Sequence, residues 1–127
     1  MNSYTKIIPA SHNANGIVST AMTMHRGNQR LWLQNAVQML NAGFIPHAQY
    51  RTDYLADRIV LTLTTEGKTR RVSKCGRGAT LDINNSQLKV GGKYDFSNGI
   101  RWDCKAGVVT ITPMPSHHQL QGLNNDI

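Results

Sequence analysis

The sequence predicts an α+β, β-rich fold, a small barrel or sheet carrying one main helix. Three observations predict it. A single apolar stripe of helical period, over residues 29–41, stops on Gly43 and Pro46. From Ile59 onward the apolar period falls to two. Finally, two alternating runs flank Lys105-Ala106-Gly107, which has the chemistry of a tight turn.

Within the stripe, Trp32, Ala36, Met39 and Leu40 fall at i, i+4, i+7 and i+8, and Leu33 and Val37 widen that face. An amphipathic helix is therefore expected over 29–41, entered from a short extended piece at 30–33. Gly43 supplies the left-handed residue at its end, Phe44 folds back on the last turn, and Pro46 blocks continuation. Ile59, Leu61 and Leu63 then oppose Val60, Thr62 and Thr64. Glu66-Gly67 reads as a turn and 69–75 as the return strand of a hairpin. Gly76-Arg77-Gly78 breaks the ladder before a short segment at 80–83. Asp82 or Asn84 is expected to cap one helical turn reaching Lys89. Ile100, Trp102 and Cys104 alternate with Arg101, Asp103 and Lys105, and Val109 and Ile111 share a face on the final strand.

The structured domain is thus expected at 29–112. Residues 1–28 read as a mostly flexible arm, with Ile7-Ile8-Pro9 and Gly16-Ile17-Val18 as apolar nuclei sufficient for a short added strand. Residues 113–127 are rich in Pro, His, Gln and Asn and read as a disordered tail. An aromatic fraction of 6% suits a domain with such extensions.

The chain has 127 residues and a formal charge of +7, which excludes an acidic mimic of nucleic acid and favours a polyanionic partner. Lys68, Arg70, Arg71, Lys74 and Arg77 lie within ten residues with no acid between them. Without those five, nine bases face seven acids, so most of the excess belongs to one arm. On an extended strand Arg70, Val72 and Lys74 share one face, and Arg71, Ser73 and Cys75 the other. Arg70 and Lys74 would follow one phosphate backbone while Arg77, between two glycines, reaches a groove. Arg26 and Arg30, then Arg51 and Arg58, extend the patch. An edge strand guarded by its own bases is the plain alternative. Trp32 and Trp102 read as core, and Tyr94 and Phe96 as the candidates for exposed stacking on bases.

Evidence for catalysis is thin. The acids stand singly, and no HExxH, GxSxG, Walker or paired-carboxylate spacing occurs. His12, His25, His47, His117 and His118 read as surface or tail residues, and Asp82 as a cap or a partner for Arg77. No catalytic residue, metal or cofactor is expected. Cys75 and Cys104 lack zinc spacing and read as buried, reduced thiols. No apolar run is long enough for a membrane span or a secretory leader, so the expected compartment is the cytoplasm.

Arg30-Leu31-Trp32-Leu33, then a helix ending Leu40-Asn41-Ala42-Gly43-Phe44-Ile45-Pro46, then a hydrophobic strand, resembles the opening of SymE-like proteins of the AbrB (swapped-hairpin) superfamily. Val72-Ser73, Leu81-Asp82-Ile83-Asn84 and the late strand 107–111 are also similar to the N-terminal domain of some phage DNA cytosine methyltransferases. The resemblance covers about residues 28–112. It implies a swapped-hairpin-like barrel, an intertwined homodimer and DNA binding through a basic face. Two departures stand out: His47 replaces the family's glycine after Pro46, and the connection through Gly76-Arg77-Gly78 is longer than in a minimal AbrB hairpin. Neither cysteine follows a proline, so methyl transfer is excluded.

The expected function is that of a small basic nucleic-acid-binding protein, a DNA-binding regulator from a phage or mobile element. The site would comprise Lys68, Arg70, Arg71, Lys74, Arg77, Arg26 and Arg30, with RNA as a further possible partner. The alternatives are a SymE-like RNA-cleaving toxin and an anti-defence or host-takeover inhibitor that binds a protein or nucleoprotein complex, with a host protein as a possible partner.

Overall fold

The computed structural model describes residues 17–19, 22–25, 27–76 and 78–115. Among these, ten strands and one α-helix follow in order: β1 (Ile17–Ser19), β2 (Met22–His25), β3 (Asn28–Leu33), α1 (Ala36–Ala42), β4 (Gln49–Tyr54), β5 (Ile59–Leu63), β6 (Arg70–Arg71), β7 (Ser73–Cys75), β8 (Gly78–Ile83), β9 (Ile100–Lys105) and β10 (Val108–Pro113). They build two antiparallel sheets, one ordered β1-β9-β10-β5-β4-β6 and the other β2-β3-β8-β7. The fold is α+β and β-rich, and the sheets do not close into a barrel.

The extended entry expected at 30–33 is a full strand that also takes in residues 28 and 29, the latter read as the start of the helix. Gln29, Leu31 and Leu33 are buried while Asn28, Arg30 and Trp32 are half-buried, a period of two. β3 pairs with β2 on one side and β8 on the other, and this pairing overrides the helical spacing. The helix that remains is short. Asn35 caps it, its Oδ1 accepting the Gln38 N–H at 3.0 Å. Only Met39 and Ala42 of α1 are buried; Val37 and Leu40, assigned to the inner face, are 66% and 64% exposed. The apparent stripe ran across a strand and a helix whose side chains do not share a face. Its end is as expected: Gly43 takes φ 90°, its N–H reaches the Leu40 carbonyl at 3.0 Å, and Phe44 is fully buried.

The closing hairpin of β9 and β10 forms as expected, with Val108 opposite Lys105 and Ile111 opposite Trp102. The other hairpin does not. β5 pairs with β4 and β10 on its two sides, which leaves no edge for residues 69–75. That segment instead crosses between the sheets, β6 pairing with β4 and β7 with β8. Val72, buried between them, donates to the Ala48 carbonyl and accepts from the His47 N–H, both at 2.8 Å. Strand pairing also reaches back before residue 29, with β1 on β9 and β2 on β3.

A short 3-10 turn, Ser86–Leu88, is capped by Asn85 rather than by Asp82 or Asn84; Asn85 Oδ1 accepts the Gln87 N–H at 2.9 Å. The irregular segment after it carries Tyr94 and Phe96 inward, where they are 2% and 0% exposed. They are core residues, not the exposed stacking surface expected. Buried Gln29 holds them there: its Nε2 donates to the Tyr94 carbonyl and its Oε1 accepts the Phe96 N–H, each at 2.7 Å. The Tyr94 hydroxyl donates to the Leu55 carbonyl and lies 3.2 Å from that of Arg58. Trp102 lies in the core as expected, whereas Trp32 is half-buried.

Candidate nucleic-acid interface

Most of the basic arm lies on the exposed edges of the two sheets. Lys68, Arg70, Arg71 and Lys74 are all exposed, and none has a carboxylate within ion-pair distance among the described residues. The arm is not one strand, however. The buried turn at Val72 places Arg70 and Arg71 on the large sheet and Lys74 on the small one, so Arg70 and Lys74 do not share a strand face. Arg71 Nη1 donates to the His47 carbonyl at 3.2 Å, which ties that guanidinium to the loop after α1. Arg26 and Arg77 lie outside the described residues, as do His12, His117, His118 and the tail from residue 116.

Arg30 is engaged elsewhere. Its Nε and Nη2 donate to the two oxygens of Asp82 at 3.0 and 2.9 Å, and its guanidinium lies 4.9 Å from the centre of the Trp32 ring. Asp82 is therefore the partner of Arg30 rather than a cap, and Arg77, the other partner considered for it, lies outside the described residues. The Arg30 hydrogen bonds hold its carboxyl below the ordinary aspartate value, helped by Asn84 and by the field of Arg70. A bidentate pair of this kind leaves Arg30 little free charge for phosphate.

Arg70 and Lys68 instead face a polar cleft of about 560 Å³. Arg51, Thr52, Asp53 and Tyr54 of β4 form one wall, and Asn85, Ser86 and Gln87 of the 3-10 turn close it. Three cations face a single carboxylate here, that of Asp53, which Arg51 Nε holds at 3.2 Å. Asn85 Nδ2 donates to the Tyr54 hydroxyl at 2.7 Å, so the turn is fastened to the strand across the cleft. Thr69 Oγ1 donates to Gln49 Oε1 at 3.2 Å and fixes the loop that carries Lys68. Thr52 Oγ1 is buried in the wall without a hydrogen-bond partner among the described residues.

Of the wider patch, Arg51 joins the cleft while Arg58 pairs with Asp57 at 3.1 Å and does not. Sequence reasoning missed β4 and, with it, the cleft. The signal was present in Tyr50-Arg51-Thr52-Asp53-Tyr54, a β-favouring alternation between Pro46 and Ile59. The amide side chains of the 3-10 turn carry no comparable signal, because Asn-rich runs are ordinary turn material.

Among the described residues no group of three His, Cys, Asp or Glu is placed to hold a metal ion, and no helix is long and apolar enough to cross a membrane. Both cysteines are free thiols. Cys75 is exposed at the edge of β7, contrary to the expectation of burial. Cys104 is half-buried, and burial together with nearby Asp103 pushes its pKa up to about 12. No family model, curated protein or solved structure matches the chain.

Proposed function

We propose that this protein binds nucleic acid through the phosphate backbone, acting as a DNA-binding regulator of phage or mobile-element origin. The observation that carries the reading is the run Lys68, Arg70, Arg71 and Lys74, exposed along one crossing segment without a carboxylate partner among the described residues. Edge protection alone does not call for a cleft beside the edge, yet Lys68 and Arg70 open onto one with Arg51. Cations left unpaired on a sheet edge displace the counterions condensed on nucleic-acid phosphates, and that release drives association.

The SymE/AbrB-like resemblance supports the same reading at one further point. His47 stands where that family has glycine after the proline, and it adopts φ 72°, the left-handed conformation that glycine takes most easily. The resemblance also implies a homodimer whose intertwined hairpins complete a swapped-hairpin barrel.

The test is a gel-shift series on duplex DNA, single strands and RNA over a range of salt. Replacing Arg70 and Arg71 by alanine together is expected to weaken binding and flatten its salt dependence, by roughly 0.7–0.9 in slope for each phosphate no longer neutralised. An unchanged slope overturns the assignment.

A further inference from the structure

We propose that the cleft between β4 and the 3-10 turn receives one unpaired nucleotide, so that the favoured partner is a single strand rather than a duplex. This rests on the nucleic-acid reading above and names its ligand more narrowly.

Shape is the first argument. Duplex bases are read by protein elements that protrude into a groove, whereas a splayed nucleotide must enter a concavity in the protein. The cleft, at about 560 Å³, falls within the roughly 300–1,000 Å³ typical of small-ligand sites.

Chemistry is the second. Arg51, Lys68 and Arg70 gather at one cleft, where a phosphate needs positive charge. Half-buried Tyr54 brings a ring to the wall, the usual platform for a single-stranded base. Its hydroxyl already accepts from Asn85, so the Tyr54 proton is left to donate. The Asn85 amide already spends one Nδ2 proton on Tyr54 and accepts the Gln87 N–H at Oδ1. The exposed Gln87 side chain, on the same turn, is the freer amide to meet a base edge. Such contacts tolerate any base that can stack and bond to an amide, which suits weak sequence preference.

The experiment is fluorescence anisotropy with a labelled oligonucleotide, as single-stranded DNA, single-stranded RNA and blunt duplex DNA of the same sequence. Wild-type protein is expected to bind at least one single strand about tenfold more tightly than the duplex. Tyr54→Leu is expected to weaken single-strand binding by about tenfold, while Tyr54→Phe, which keeps the ring but loses the hydroxyl bonded to Asn85, is expected to lose only a few-fold. Gln87→Ala, at an exposed position, is expected to weaken single-strand binding severalfold and leave duplex binding unchanged; it decides the matter if Tyr54→Leu fails to fold. Equal or tighter duplex binding, or variants that weaken both forms alike, overturns the cleft proposal while leaving the nucleic-acid reading intact. Binding to no nucleic acid overturns both.

Discussion

Arg30 and Asp82 face each other across the small sheet through two hydrogen bonds, 3.0 Å from Nε to Oδ1 and 2.9 Å from Nη2 to Oδ2. The pair joins β3 to β8 beside the register pair Trp32–Asp82. Its carboxyl is held below the ordinary aspartate value, chiefly by the Arg30 hydrogen bonds. A depressed carboxyl contributes stability that is present above its unfolded pKa and is lost as pH falls through the folded value. Asp82→Asn is therefore expected to lower Tm at neutral pH. The gap between mutant and wild type should begin to narrow below about pH 4, where the unfolded carboxyl takes up its proton, and close at lower pH once the folded carboxyl is protonated too. Thermal melts from pH 7 to pH 2 check this, and a gap independent of pH would count against it.

Gln29 should be the costliest polar residue to lose. Its two 2.7 Å hydrogen bonds satisfy the Tyr94 carbonyl and the Phe96 N–H inside the core. Gln29→Leu keeps the bulk and orphans both groups, at an expected cost of about 2–4 kcal/mol. Urea denaturation should show a lower midpoint with an unchanged slope.

Two left-handed residues flank the turn after α1 and should respond in opposite directions. At Gly43, φ is 90° and an added Cβ would meet Leu63 Cδ1 at 3.0 Å. Gly43→Ala should cost about 1–2 kcal/mol from conformation and crowding together. His47 carries a side chain at φ 72°, so His47→Gly should gain about 0.5–1 kcal/mol. Paired denaturation curves test both signs.

Arg70 and Arg71 are neighbours with different surroundings. Arg70 opens onto the cleft, while Arg71 donates to the His47 carbonyl at 3.2 Å. Arg70→Ala should therefore lower nucleic-acid affinity more than Arg71→Ala, measured by anisotropy at one salt concentration. Equal losses would show that the cleft confers nothing beyond charge.

The two thiols should differ in reactivity. Cys75 is exposed at the edge of β7, and Cys104 is half-buried with its pKa pushed up to about 12. Because the thiolate is the reactive form, a disulfide reagent at neutral pH should modify Cys75 quickly and Cys104 only after denaturation. Prompt modification of both in the native protein would contradict this burial.

Local chemistry made part of this protein legible without its structure. The stop at Gly43-Phe44-Ile45-Pro46, the β9–β10 hairpin and the burial of Trp102 follow from conformational limits and from alternation over a few residues. The concentration of charge between Lys68 and Arg77 is likewise a property of the chain alone. Competition between distant segments decided the rest. Residues 69–75 could not return along β5, because β4 and β10 already occupied both its edges. Tyr94 and Phe96 were drawn inward by Gln29, more than sixty residues earlier in the chain. Arg30 was withdrawn from the basic patch by Asp82, which only the pairing of β3 with β8 brings within reach. The cleft has the same origin: its cations sit on β4, on β6 and on the loop before β6, its amides on a turn past β8, and no spacing along the chain records their meeting. Sequence determined which residues carry charge and where short elements end; strand pairing across long separations determined which of those charges remain free to bind.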